Sequence, residues 1–176
     1  MLYVWIIGIV SGGMTREMEF SQKTKETFIS AFSAGVFLVL FGIFFVITPG
    51  LFDGIVKFFM NLDVVKVPNI SIGILLPAPK NPTTHLVVYS AVMQFCFAWG
   101  IFLIVLLVFR FFAGSPLNKK AETASDIVFW LVSGYLVGNF LNDAATVNLW
   151  FAFWATIIML IGVKLIIQAI ILAVFR

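Results

Sequence analysis

Six polar side chains stand inside or beside long apolar runs: Gln94, Glu122, Asp126, Asn139, Asp143 and Lys164. In lipid, these are the residues able to do chemistry. A lysine facing a carboxylate between membrane helices can hold an ion pair, relay a proton or bind a charged solute. A buried amide joins helices through hydrogen bonds worth roughly 1 kcal/mol. Lys164 is the sharpest of the six, because it is the single charge in the run 144–175. A lysine at the bilayer centre costs about 3 kcal/mol on insertion scales, so it must reach a headgroup or a partner.

Spacing suggests that partner. Two apolar helices joined near residues 142–144 would run antiparallel, and residues at equal depth would have numbers summing to about 288. Lys164 then lies level with Glu122 to Asp126. Both acids fall near the aqueous boundary. The expectation is a structural pair or a snorkelled lysine rather than a conduction site. In SGYLVGNFLND, residues 133–143, Gly134 and Gly138 share one face suited to close helix approach. Asn142 and Asp143 mark the hairpin, with Asp143 placed to cap the following helix and Asn139 one turn deeper. Gln94 lies about eight residues into its own apolar run and suits a helix-to-helix hydrogen bond.

Other chemistries lack their residues. Cys96 and His85 are each the single residue of their type, which excludes intramolecular disulfides, thiolate zinc sites and bis-histidine haem. No GxSxG, HExxH or phosphate-loop lysine occurs, and no serine has a nearby histidine. The reading is therefore no catalytic residue, no cofactor and no metal. No basic cluster interleaved with aromatics points to nucleic acid.

The elements that must position these residues are set by composition. Of 176 residues, 62% are hydrophobic and 11% charged, with 21 phenylalanines and a net charge of +3. A water-soluble domain carries roughly 25% charge, so lipid must solvate much of this chain. The pattern predicts an all-α integral membrane protein, residues 1–176 forming one domain. Its centre is a compact bundle of four transmembrane helices at 27–48, 86–109 (extendable to 113), 126–142 and 144–170. Ala31, Ala34 and Gly35 offer the first of these a close-approach face. The last helix is longer than one bilayer, so it either tilts strongly or leaves the membrane as a surface helix beyond Ile170.

Three non-spanning segments complete the reading. Residues 1–10 form a short apolar segment, read as an interfacial or partly inserted helix, with a full crossing as the alternative. Residues 15–26 are charged and solvated, with Ser21 or Thr24 placed to cap the next helix. Residues 51–67 form an interfacial amphipathic helix, with Asp53, Lys57 and Asn61 on one side. Residues 68–84 make a proline-rich outer loop containing a short extended piece. Ser115-Pro116 is placed to start the third spanning helix.

Lysines and arginines gather at 15–26, at 110–125 and at the C-terminus, and the turn near 143 has none. The positive-inside rule puts those three regions in the cytoplasm of a cell-membrane protein. The function that follows is non-catalytic: a structural or accessory subunit assembling with itself or with other membrane subunits, in contact with membrane lipids. An oligomeric channel or small-solute transporter is the alternative, and a lipid-modifying enzyme the second.

Overall fold

The computed structural model describes residues 2–67 and 73–175, with side chains described from Gln22 onward. The architecture is a mostly helical bundle with a two-stranded sheet at one end. In chain order it comprises α1 (Leu2–Ile47), α2 (Leu51–Met60), β1 (Leu62–Lys66), β2 (Leu75–Pro79), a 3-10 turn (Pro82–His85), α3 (Leu86–Phe112), α4 (Leu117–Phe140) and α5 (Val147–Val174). Three stretches are long and apolar enough to cross a membrane: Gln22–Ile47, Pro82–Phe112 and Val147–Val174. The chain is a multi-pass membrane protein.

The backbone of α1 is helical without interruption for 46 residues, about 69 Å. The short apolar segment, the charged connection and the first span read from the sequence are thus parts of one continuous helix. Residues 14–34 contain neither glycine nor proline, and Glu, Lys, Gln and Met propagate a helix well. Neither Ser21 nor Thr24 begins a helix. Pro49-Gly50 does end α1, and Gly50 adopts φ 72°, a left-handed turn that glycine enters without a Cβ clash.

The amphipathic helix is shorter than its hydrophobic pattern. It stops at Met60, and β1 replaces its last predicted turns. Asp63 accepts a hydrogen bond from the Val64 N–H at 2.8 Å, and the following Val64-Val65 pair favours extended backbone. β1 then pairs antiparallel with β2, Leu62 opposite Pro79 and Lys66 opposite Leu75. The outer loop thus contains a strand. Its prolines, Pro77 and Pro79, are tolerated because a two-stranded sheet has only edges. Lys80 closes the hairpin at 3.3 Å from Asp63. The Val64 N–H and then the Lys80 ammonium hold the Asp63 carboxyl below its ordinary range. That contribution is present at neutral pH and is lost only as pH falls through the lowered value.

The bundle is organised around α4, which packs along both α3 and α5. Of its residues, Asn118, Tyr135 and Asn139 are exposed. Thr123, Ser125 and Ser133 are buried, which a helix facing lipid would not favour. Two of the three hydroxyls return a hydrogen bond to their own helix, Thr123 to Lys119 O and Ser125 to Glu122 O, each at 2.8 Å. Close approach uses glycine. A Cβ on Gly134 would sit 3.2 Å from Cys96 Cβ and 3.3 Å from the Met93 carbonyl oxygen, and one on Gly138 would sit 2.9 Å from Met93 Sδ. Gly100 on α3 does the same against Leu131.

α1 is attached differently. Its small residues do not mediate contact: Ala31, Ala34 and Gly35 are exposed, and a Cβ on Gly35 meets nothing within 4 Å. Large residues hold it instead. Ile29, Val36, Phe37 and Leu40 pack with Trp99, Leu103 and Leu106 of α3. Phe37 meets the Phe95 and Trp99 rings edge-on at 5.2 and 5.0 Å.

α5 begins at Val147, and its cap is Thr146, whose hydroxyl accepts from the Leu149 N–H at 3.3 Å. Asp143 is not the cap, and the span does not start at 144. Asn142 takes the turn instead, accepting from the Ala144 N–H at 2.9 Å. α5 continues unbroken to Val174, as a single tilted helix would. α4 likewise begins after Pro116, with no side-chain cap and Ser115 buried. Thr146→Ala is expected to cost about 1 kcal/mol in thermal or denaturant unfolding in detergent, and Asp143→Ala close to nothing.

Candidate functional site

The six polar residues do not converge. Gln94 lies on the exposed side of α3, and its side chain makes no hydrogen bond to any described residue. Asn139 is exposed and donates to Tyr135 O at 2.8 Å, while its own carbonyl accepts from Asn142 Nδ2 at 3.1 Å. Asp143 is exposed at the rim of a small cavity with Tyr89, Ser90, Met93 and Gly138. All three are separated along the bundle from Glu122, Asp126 and Lys164.

Those last three gather at the end of the bundle away from the hairpin. Lys164 Nζ on α5 forms an ion pair with Asp126 Oδ1 on α4, with the two side chains 30% and 25% exposed. The ammonium also lies 5.7 Å from the centre of the Phe129 ring. Glu122 pairs within its own helix, one turn from Lys119, at 2.8 Å. The α4–α5 hairpin therefore sets Lys164 and Asp126 at equal depth, and Glu122 takes a different lysine.

Around these acids lies a crevice of about 470 Å³ between α1, α3 and α4. The lining is charged from Arg110 and Lys119 through Glu122 to Asp126, which the α3–α4 register sets about level with Leu103, and apolar beyond that at Phe37, Leu38 and Trp99. Arg110 is the residue that sequence reasoning missed. It reads as the cation closing an apolar run, yet it is only 6% exposed. Its Nη1 donates to Lys119 O at 2.7 Å, while its Nε is buried with no hydrogen-bond partner. No carboxylate among the described residues lies within ion-pair distance of it. Glu26, one turn before Ser30 on α1, also has a buried oxygen without a partner, but it does not line the crevice. The signal for Arg110 was the turn after it: Gly114 with φ 68° folds the chain back, and Ser115 N donates to Arg110 O at 3.0 Å. That reversal lays Lys119 against the guanidinium.

The hairpin end is aromatic. Phe58, His85, Tyr89 and Trp150 form one cluster, with ring centres 5.2 Å apart for Phe58 and His85 and 5.8 Å for Phe58 and Trp150. His85 Nε2 and the Tyr89 hydroxyl are buried there without partners. Trp150 Nε1 donates to Pro77 O at 3.3 Å and moors the hairpin to α5. Trp150→Phe keeps the ring but removes this bond, with an expected loss of about 1 kcal/mol. Faster amide exchange in β2 than in α3 would mark the loss as local.

Among the described residues, no group of three His, Cys, Asp or Glu side chains is placed to hold a metal ion. Comparison with protein-family models, curated proteins and solved structures finds no match.

Proposed function

We propose that this chain is a non-catalytic accessory or scaffolding subunit that crosses the membrane four times and assembles laterally with itself or with other membrane subunits. The carrying observation is Gln94, a polar side chain on the exposed side of α3 in a bundle whose own fold covers little of its membrane surface. Over the 18-residue apolar window of each stretch, 6% is buried inside the bundle in Gln22–Ile47 and 6% in Val147–Val174, against 28% in Pro82–Phe112. α1 touches the rest along one line of large side chains. On the exposed side of α3, the Gln94 amide has no side-chain hydrogen-bond partner among the described residues. Helices in lipid associate through packing and such polar groups, because apolar surface alone gives no preference for protein over lipid.

The fourth crossing is α4. It is about 36 Å long, and its charges lie at residues 119–126. Its uncharged part, 127–140, thus covers about 21 Å, and its polar first turns, packed against its neighbours, complete a core of roughly 30 Å. Its packing along both α3 and α5 supports the same slab for all three. The lysine and arginine distribution then gives a cytoplasmic Arg110 end and an outer hairpin end. A pore through a single copy is disfavoured by the crevice itself, whose inner end is lined by Phe37 and Trp99.

The test is the mass of the purified full chain in mild detergent, by light scattering with the micelle subtracted. A defined oligomer or stoichiometric complex is expected, weakened several-fold by Gln94→Leu. A monodisperse monomer at every detergent-to-protein ratio would overturn the reading.

A further inference from the structure

We propose that the crevice between α1, α3 and α4 is a binding site for one anionic amphiphile from the cytoplasmic leaflet. Its acidic headgroup sits on Arg110, and one acyl chain lies against Phe37, Trp99 and Leu103. The proposal rests on the four-span orientation given above.

Three observations carry it. The first is charge. Of the groups lining the crevice, Glu122 is held by Lys119 and Asp126 by Lys164. Arg110 is the cation left without an acid among the described residues, and it is 6% exposed with an unpartnered Nε. A buried guanidinium in that state favours an anion, and its planar fork matches phosphate or carboxylate oxygens. Ser30, on the facing helix, adds a hydroxyl to the lining about level with Leu106.

The second is the order of polarity. The lining changes from charged at Arg110 and Lys119 to wholly apolar at Trp99 and Phe37. Arg110 and Trp99 are separated by about 17 Å along α3. One leaflet of hydrocarbon is about 15 Å deep. The gradient therefore has the length and sense of a single lipid standing in one leaflet. A free phosphate would use only its polar end.

The third is access and size. α1 forms one wall with Ser30, Ser33, Ala34 and Phe37, and Ser30, Ala34 and Leu38 of this lining are exposed. The crevice is open on its lipid side, as a lipid entering from the bilayer requires. Its volume of about 470 Å³ lies in the range of small-molecule sites, and suits one chain with part of a headgroup.

The test uses the full chain, delipidated in detergent and offered phosphatidylglycerol, phosphatidylcholine or inorganic phosphate. Native mass spectrometry counts retained lipid, and thermal unfolding reads stabilisation. One retained phosphatidylglycerol and a clear rise in Tm are expected, with little effect of phosphatidylcholine and none of phosphate. Arg110→Gln should weaken phosphatidylglycerol binding at least tenfold. Ala34→Phe, which fills the chain region and leaves Arg110 in place, should abolish retention. Equal retention of the two lipids, or undiminished binding by Arg110→Gln, overturns the proposal. A Tm rise with phosphate equal to that with phosphatidylglycerol overturns it in favour of a free-anion site. If Arg110→Gln does not fold, a folded Ala34→Phe that still retains phosphatidylglycerol is decisive against it. The same spectra give the protein mass, so failure of the assembly reading is seen separately.

Discussion

Lys164→Met is expected to destabilise the bundle by about 2 kcal/mol, and Asp126→Asn by less. Removing one partner of a fully buried ion pair costs about 3–5 kcal/mol, because the other charge is left without compensation. Here the two side chains retain 30% and 25% exposure, so water and headgroups screen the charge left behind and the cost falls below that range, to about 2 kcal/mol. The asymmetry comes from side-chain length. Without Asp126, Lys164 still has a flexible stem that reaches toward headgroups. Without Lys164, the short Asp126 side chain cannot follow. Lys164→Met combined with Asp126→Asn should recover most of the loss. Unfolding by SDS titration of all three variants checks this, and a double variant as unstable as Lys164→Met alone would show that the pair contributes nothing specific.

Gly100→Leu should be the most damaging single change in the apolar core, costing about 3 kcal/mol. A Cβ there would lie 2.5 Å from Leu131 Cδ2 and 2.8 Å from its Cγ, so Leu131 must leave its position or α3 must separate from α4. Gly100→Ala combined with Leu131→Ala should be milder than Gly100→Ala alone would suggest, because the obstructing branch is gone. Gly35→Leu is the control. It has nothing within 4 Å, and the helix gains from losing a glycine, so unchanged or slightly higher stability is expected. Equal damage at positions 35 and 100 would mean that α1 packs where the fold leaves it open.

The contrast between these glycines shows what local sequence conveys. Gly35 and Gly134 both look like close-approach residues, because spacing on a helix reports a shared face but not what covers it. Gly134 meets Met93 and Cys96, whereas Gly35 meets nothing. The helix bounds divide in the same way. α3 was readable from its uncharged run and the Gly114 break, since both act over one turn. The end of α2 was not, because Leu62–Lys66 keeps an amphipathic pattern while its backbone hydrogen bonds come from Leu75–Pro79, beyond the reach of any local signal. Asp143 failed as a cap for a related reason. Asn142 closes the turn first, and the helix waits for Thr146.

At the candidate site, the chain's own pattern required Lys164 to reach a headgroup or a partner, and the short hairpin placed the stretch from Glu122 to Asp126 at its depth. Both follow from helix rise and the cost of charge in lipid, which depend on composition and spacing alone. The tertiary structure decided that Asp126 takes Lys164 while Lys119 takes Glu122, because helix rotation selects between neighbours one turn apart. It also decided that α4, the least apolar long helix, lies between α3 and α5. There its serines and threonines meet protein, and the more apolar helices meet lipid. Arg110 divides between the two levels: the Gly114 turn after it is local, but its burial is not, because it needs α4 to fold back and lay Lys119 against the guanidinium.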